Sequence, residues 1–180
     1  GEYQGGGFNI TTSGAAVTLT SVHVDDCIIA SANGNLGGGG IFISSSSTVT
    51  ISKSKFTNNL SSSGGNVSMD GASIFSQGTL TLVNSLFYDN TSTSSYDGDF
   101  AMNAGTTTIT NCTFIYNANS VIPVYCNGGT LNIYNSILNG STSTNSIVKA
   151  SGTVKENIMQ QRTEEWFEAR LGNVTGSRVA

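Results

Sequence analysis

The chain has 180 residues, of which 7 are Lys or Arg and 11 are Asp or Glu, and its formal net charge at pH 7 is −4. This composition gives no basic footprint for a nucleic acid, and no apolar run is long enough to insert into a membrane. Ser, Thr, Asn and Gly dominate, but the apolar residues recur too regularly for a disordered chain.

The same sequence module occurs five times along the chain. It begins at residues 16, 48, 79, 106 and 130, and its clearest copy is TLTLVNSLFYDN at 79–90. A module repeated in tandem is typical of a solenoid, in which each repeat packs only on its neighbours.

Each module predicts two short strands with a corner between them. In the copy at 79–90, alternation places Leu80 and Leu82 on an inward face and the two threonines outward. Asn84 suits the left-handed backbone of a tight corner, and Phe87 is the large inward residue of the second strand. The equivalent residues elsewhere are Val17, Leu19, Val49, Ile51, Thr107, Ile109, Leu131 and Ile133 in the first strand, Asn111 and Asn135 at the corner, and Val24, Phe56, Phe114 and Leu138 in the second strand.

A third strand precedes each module, and stacked coils would place equivalent inward residues in columns about 4.8 Å apart. One predicted column runs through Ile10, Ile43, Ile74, Met102, Val124 and Ile147, and another through Val24, Phe56, Phe87, Phe114 and Leu138. We therefore predict an all-β fold, a single-stranded parallel β-helix of about six coils with three short strands each, over residues 1–158.

The composition changes at Met159, because charged residues concentrate in the tail at 159–180. Thr163 fits an N-cap, Glu164 and Glu165 fit the first turn, and Gly172 follows the last turn. The sequence thus predicts a short C-terminal helix at 163–171 that caps the open end of the solenoid.

Three modules end in Phe-x-x-Asn, at 56–59, 87–90 and 114–117, and Gly38-Gly39-Gly40-Ile41 precedes the second module. Over residues 5–158, these motifs resemble the repeats of polymorphic outer-membrane proteins and related autotransporter-like adhesins. The resemblance implies a right-handed β-helix of the pectin lyase-like fold, in an adhesin that is extracellular or at the cell surface.

The tail at 161–177 resembles the opening of phage-type YqaJ recombinase exonucleases. That family's metal-binding carboxylates lie further along than this resemblance extends. No nuclease site is therefore carried over to this chain.

Outward aromatic and acidic residues form the first candidate site. Tyr88, Asp89 and Tyr116 belong to the second strands of their modules, and Tyr96 lies in a neighbouring loop. Tyrosines beside a carboxylate can stack on sugar rings or on a partner's surface, although strand tyrosines are also common without a ligand. The predicted function is a non-catalytic, monomeric adhesin-type segment that binds a glycan or a protein and needs no cofactor.

The outward threonines form a second candidate site, a grid spaced about 6.7 Å along each strand and 4.8 Å between coils. This grid resembles the surface of ice-binding β-solenoids. Threonine is also a favourable exposed strand residue, so the pattern has an explanation without a ligand. The residues are Thr48, Thr50, Thr79, Thr81, Thr106, Thr108 and Thr130.

A polysaccharide-active, pectate lyase-like enzyme is the third hypothesis. Asp26 and Asp89 share a column two coils apart, which gives about 9.6 Å, a separation near that of an inverting glycosidase pair. However, Asn58 lies between them, and we expect no Arg or Lys near enough to bind an acidic sugar. The pattern therefore favours solvated turn residues over catalysis.

No metal site is predicted. Asp97 and Asp99 close the loop of the third coil but lack the signature of a calcium loop. The three cysteines have no metal-ligand spacing, and Cys112 falls among inward residues, which predicts a buried thiol. His23 is expected to be exposed and to have no role.

Overall fold

The computed structural model describes residues 4–31, 37–63, 70–93, 98–115, 122–139 and 147–161. All helical or extended elements in these ranges are β-strands. In chain order they are β1 (Gln4–Gly5), β2 (Phe8–Ile10), β3 (Ala16–Thr20), β4 (His23–Asp25), β5 (Ile28–Ser31), β6 (Gly37–Gly38), β7 (Ile41–Ile43), β8 (Thr48–Ser52), β9 (Lys55–Thr57), β10 (Leu60–Ser63), β11 (Gly71–Ser76), β12 (Thr79–Val83), β13 (Leu86–Tyr88), β14 (Thr91–Ser92), β15 (Gly98–Met102), β16 (Thr106–Thr110), β17 (Thr113–Ile115), β18 (Ile122–Cys126), β19 (Thr130–Asn139), β20 (Ile147–Lys149) and β21 (Thr153–Gln161). The helix predicted at 163–171 lies outside the described residues.

The strands form three parallel sheets, which confirms the predicted β-helix. The first sheet has the order β1-β6-β11-β15-β18-β20, with β2 and β7 alongside. The second sheet contains both arms of the repeated modules, β3-β8-β12-β16-β19 and β4-β9-β13-β17-β19, with β21 beside β19. The third sheet, β5-β10-β14, adds one strand to each of the first three coils beyond the three predicted from the sequence.

The predicted aromatic column is confirmed. Phe56, Phe87 and Phe114 are fully buried and lie in register with Val24 below and Leu138 above. The ring centroids of Phe56 and Phe87 are 4.6 Å apart, and those of Phe87 and Phe114 are 4.3 Å apart. The rings are nearly parallel, so each coil presents the same aromatic surface to the next.

The inward residues of the first arm also stack in register. Two polar residues interrupt these columns: Glu156, which is exposed and in register with Ile133, and Thr107, which is fully buried and whose Oγ1 has no hydrogen-bond partner among the described residues. The two columns are Val17–Val49–Leu80–Thr107–Leu131–Val154 and Leu19–Ile51–Leu82–Ile109–Ile133–Glu156.

The column predicted for the preceding strand is wrong in register, although most of its residues are buried in the core. Ile43 pairs with Ser76 rather than with Ile74. The strand in fact supplies two columns two residues apart, which the prediction merged because loops of unequal length precede it. The observed columns are Phe8–Ile41–Ile74–Phe100–Val124–Ile147 and Ile10–Ile43–Ser76–Met102–Cys126–Lys149.

The corners between the two arms adopt the predicted left-handed backbone. Asn84, Asn111 and Asn135 have φ values of 51°, 53° and 50°. Ser21 and Lys53 occupy the same corner in the first two coils, also at positive φ, and residue type alone did not reveal them. A second left-handed corner follows the second arm, at Asp26, Asn58 and Asp89.

The asparagine of the Phe-x-x-Asn motif forms a buried hydrogen-bond ladder between coils. Asn59 Nδ2 donates to the main-chain oxygen of Val24 at 3.0 Å and to Asn90 Oδ1 at 2.9 Å. Asn90 Nδ2 donates in the same way to the main-chain oxygen of Phe56 at 3.0 Å. The motif thus satisfies main-chain groups where each coil turns out of the second arm.

The glycine that begins the Gly-Gly-Gly-Ile motif is required by a close backbone approach. A Cβ on Gly38 would lie 1.8 Å from the main-chain oxygen of Ile41, and the in-register Gly71 meets Ile74 in the same way. Any larger residue would therefore displace the backbone at this point.

The sequence predicts Asp99 in a loop, and this prediction is wrong. Asp99 belongs to β15 and is 4% exposed. Gly98 pairs with Gly71, and Phe100 pairs with Ile74. Between these two pairs β15 has one residue, Asp99, whereas β11 has two. This register shift turns the Asp99 carboxyl group into the protein, beside the asparagine ladder.

Candidate binding face

The second arm of each module turns alternate side chains outward. These residues flank the buried column of Val24, Phe56, Phe87, Phe114 and Leu138 and lie in register from coil to coil. We call this surface the second-arm face, and its two columns are His23–Lys55–Leu86–Thr113–Ile137 and Asp25–Thr57–Tyr88–Ile115–Asn139. The first two coils make its polar end, and the later coils make its apolar end.

Thr57 links His23 to Asp25 at the polar end. His23 Nε2 lies 2.7 Å from Thr57 Oγ1, and the Thr57 hydroxyl donates to Asp25 Oδ1. Asn58 Nδ2 donates to the same carboxylate oxygen at 3.0 Å. The hydrogen bonds from Thr57 and then from Asn58 lower the pKa of Asp25, because both stabilise the ionised carboxylate.

This arrangement fixes the roles of the two ring nitrogens of His23. The single hydroxyl proton of Thr57 is donated to Asp25, so in the neutral imidazole the His23 Nε2–H donates to Thr57. Nδ1 is then the hydrogen-bond acceptor of the ring. His23 is exposed, as predicted, and it belongs to a three-residue network that spans two coils. That it has no role stays a prediction.

Lys55 lies at the centre of the face, over Tyr88. Its Nζ is 4.8 Å from the centroid of the Tyr88 ring, in the range of a cation–π contact. The sequence analysis expected no Lys or Arg near the column of Asp26 and Asp89. That expectation stays a prediction, because the contact of Lys55 is with the ring of Tyr88, the residue before Asp89.

The apolar end exposes aliphatic side chains. Ile115 is 43% exposed and Ile137 is 37% exposed, while Leu86 is half-buried. Two isoleucines and a leucine therefore lie on this face beyond the Lys55–Tyr88 pair, with Thr113 in register between Leu86 and Ile137. Exposed aliphatic side chains beside polar groups give this end of the face an amphipathic character.

The structure tests only part of the predicted aromatic site. Tyr88 is half-buried on the second-arm face, and Asp89 is exposed at the left-handed corner that follows it. Tyr96 and Tyr116 lie outside the described residues. Lys55, which the structure places over the Tyr88 ring, comes from the preceding coil, 33 positions earlier in the sequence.

The predicted threonine face is in register over the whole first arm. All of its described members are exposed or half-buried, and Thr18 and Thr153 extend the predicted set. The two columns are Ala16–Thr48–Thr79–Thr106–Thr130–Thr153 and Thr18–Thr50–Thr81–Thr108–Asn132–Lys155.

The two aspartates of the enzyme hypothesis occupy equivalent corners. Asp26 and Asp89 are exposed and have positive φ, with Asn58 at the same corner of the coil between them. A catalytic role for this pair stays a prediction. In the parts of the chain that the structure describes, no group of three or more His, Cys, Asp or Glu side chains could hold a metal ion. Asp97 lies outside those parts.

The thiol predicted to be buried is confirmed. Cys112 is 1% exposed, and burial raises its pKa to about 11. Cys27 and Cys126 are also free thiols. Among the described residues there is no helix of the length and apolar character needed to cross a membrane.

These features define an all-β solenoid whose inward columns form the core and whose outward columns form two ordered faces. A family model described as a right-handed β-helix region matches residues 6–163, and the chain belongs to that family. Comparisons with curated proteins and with solved structures found no match. The finer resemblances, to polymorphic outer-membrane protein repeats and to YqaJ exonucleases, stay predictions.

Proposed function

We propose that this chain is a non-catalytic binding module of an extracellular or cell-surface protein. It binds a glycan or a protein, as a monomer, through the second-arm face. The observation that carries this proposal is the Lys55–Tyr88 pair, which joins a hydrogen-bonding end to an exposed apolar end on one rigid surface.

The polar end supplies directional groups for a ligand. Asp25 is held ionised by its two hydrogen bonds, and the His23 ring is oriented by Thr57. These groups are already ordered, so a ligand would lose little affinity to the entropy of arranging them. The positive charge of Lys55 suits a ligand that carries a carboxylate or another anionic group at this point.

The apolar end supplies contact area. Ile115 and Ile137 lie on neighbouring strands, and their exposed side chains gain free energy when a ligand covers them. Tyr88 lies between the two ends, where its ring can contact the apolar part of a ligand and its hydroxyl can form a hydrogen bond. Together the two ends favour an amphipathic ligand over a purely polar one.

Glycan and peptide arrays probed with the labelled full chain test this proposal. We expect a ligand whose signal is lost in Tyr88→Ala and reduced in Lys55→Glu. Thr81→Ala is the matched control, because Thr81 is half-buried on the other arm and should leave binding intact. Binding that survives in Tyr88→Ala, or an absence of any ligand on both arrays, would contradict the proposal.

The in-register threonine columns favour ice binding as a second candidate function. Five threonines in one column and four in the other make a grid with regular spacing between coils. Thermal hysteresis measurements test this function, with Thr79→Tyr and Thr106→Tyr expected to abolish it. An unmodified chain without thermal hysteresis would rule it out and would leave the first proposal untouched.

A further inference from the structure

The carboxyl group of Asp99 is buried at the end of the asparagine ladder. Asp99 Oδ2 accepts a hydrogen bond from Asn90 Nδ2 at 3.2 Å. Ser73 Oγ contacts two oxygens of the same residue, the main-chain oxygen of Asp99 at 2.8 Å and its Oδ1. Ser73 and Asp99 belong to β11 and β15, so these bonds join the third coil to the fourth.

If Asp99 is ionised, the Ser73 hydroxyl cannot make a full hydrogen bond to both of the Asp99 oxygens that it contacts. A serine hydroxyl has one proton, and both a carboxylate oxygen and a main-chain oxygen can only accept. If Asp99 is protonated on Oδ1, its O–H donates to Ser73 Oγ, and Ser73 donates to the main-chain oxygen. Oδ2 still accepts from Asn90, so the neutral acid satisfies every one of these contacts.

We propose that Asp99 is a proton switch built into the stack of coils. In the folded chain its side chain keeps a proton at weakly acidic pH, and loss of that proton weakens the junction between the third and fourth coils. This property does not depend on the proposed function, because Asp99 is buried in the first sheet and the binding face belongs to the second.

The surroundings of Asp99 support the neutral form. Burial raises its pKa to about 7, although the hydrogen bonds from Ser73 and Asn90 act in the opposite direction. No charged side chain among the described residues contributes to this shift. On the neighbouring strand β18, the titratable residues Tyr125 and Cys126 pack in the two apolar clusters. The third-sheet strand β14 carries only Thr91 and Ser92.

The sign of the pH dependence follows from linkage. The folded chain holds the Asp99 proton up to about pH 7, whereas the unfolded chain releases it near the ordinary pKa of 3.8. The stabilisation is therefore complete below about pH 4 and is lost as the pH rises to about 7. The unfolding equilibrium constant should increase over this range by up to about a thousandfold from this one group.

Asp99→Asn tests the proposal with an isostere of the protonated acid. The amide introduced by this substitution can donate from its nitrogen to Ser73 and accept from Asn90 through its oxygen, as the neutral acid does. In urea unfolding from pH 4.5 to 7.5, we expect the variant to lose the pH dependence and to be more stable than the unmodified chain at pH 7.5. Asp25→Asn is the control, because Asp25 is exposed and its pKa is lowered, so its replacement should not change the slope in this range.

A titration of the unmodified chain decides the question even if a variant fails to fold. The ¹³Cγ chemical shift of Asp99 should move with a midpoint near pH 7. A midpoint near pH 4, or equal pH slopes for the unmodified chain and Asp99→Asn, would overturn the proposal.

Discussion

Replacing Phe87 by alanine removes the middle ring of the three-ring stack. The side chain is fully buried, and its ring lies 4.6 Å from that of Phe56 and 4.3 Å from that of Phe114. Both neighbouring coils therefore lose a contact at once. Because rigid main-chain ladders hold the coils at a fixed separation, the cavity has little room to collapse.

The expected cost can be worked from this geometry. Truncation of a buried Phe to Ala costs about 3–5 kcal/mol, and a stacked aromatic pair adds about 0.5–1.5 kcal/mol beyond area burial. With two stacked pairs and little relaxation, we expect the upper part of the first range, about 4–5 kcal/mol. For a urea dependence of about 3 kcal/mol per M, the unfolding midpoint falls by about 1.5 M.

Urea unfolding followed by circular dichroism measures this change. Tyr88→Ala is the matched control, since Tyr88 is the next residue of the same strand but is only half-buried on the outer face. We expect its effect to be below about 1.5 kcal/mol. If Phe87→Ala cost no more than Tyr88→Ala, the inward stack would not hold the coils together, and the assignment of inward and outward faces would be refuted.

Three further predictions follow from polar groups. Thr107→Val removes a buried hydroxyl that has no hydrogen-bond partner in the described part of the chain and keeps the side-chain shape. It should therefore stabilise the chain by about 1 kcal/mol in the same unfolding assay, and a loss of stability would contradict this. Asn90→Ala leaves buried ladder groups without partners and should cost about 3 kcal/mol, whereas a loss below about 1 kcal/mol would show that water replaces the ladder. Thr57→Val removes the main cause of the lowered pKa of Asp25, so the carboxyl should titrate closer to 3.8 by ¹³C NMR. Because a lowered pKa stabilises the folded chain only above the ordinary value, this variant should lose less stability on acidification below pH 4.

The core could be predicted from the sequence because it depends on short-range patterns. Alternation in TLTL placed Leu80 and Leu82 inside, and the recurring asparagine marked the left-handed corner at Asn84. These signals lie within one module and repeat in the next. The register of the preceding strand was harder to predict, because its motif is interrupted by loops and glycines that differ between coils.

The binding face could be predicted only in outline. Tyr88 was singled out, but the contact with Lys55 depends on which residues of neighbouring coils lie side by side. The His23–Thr57–Asp25 network has the same origin, since it joins residues 34 and 32 positions apart. The loop predicted at Asp99 is wrong because one residue of β15 spans two of β11, and no local sequence pattern reveals such a shift.

The most direct test of the binding proposal is a map of amide chemical shift changes in the full chain when it is titrated with the ligand found on the arrays. We predict that the largest changes occur in the second-arm strands, at residues 23–25, 55–57, 86–88 and 113–115. Changes concentrated in the first arm, at 48–52, 79–83 and 106–110, or in the first sheet would contradict the account.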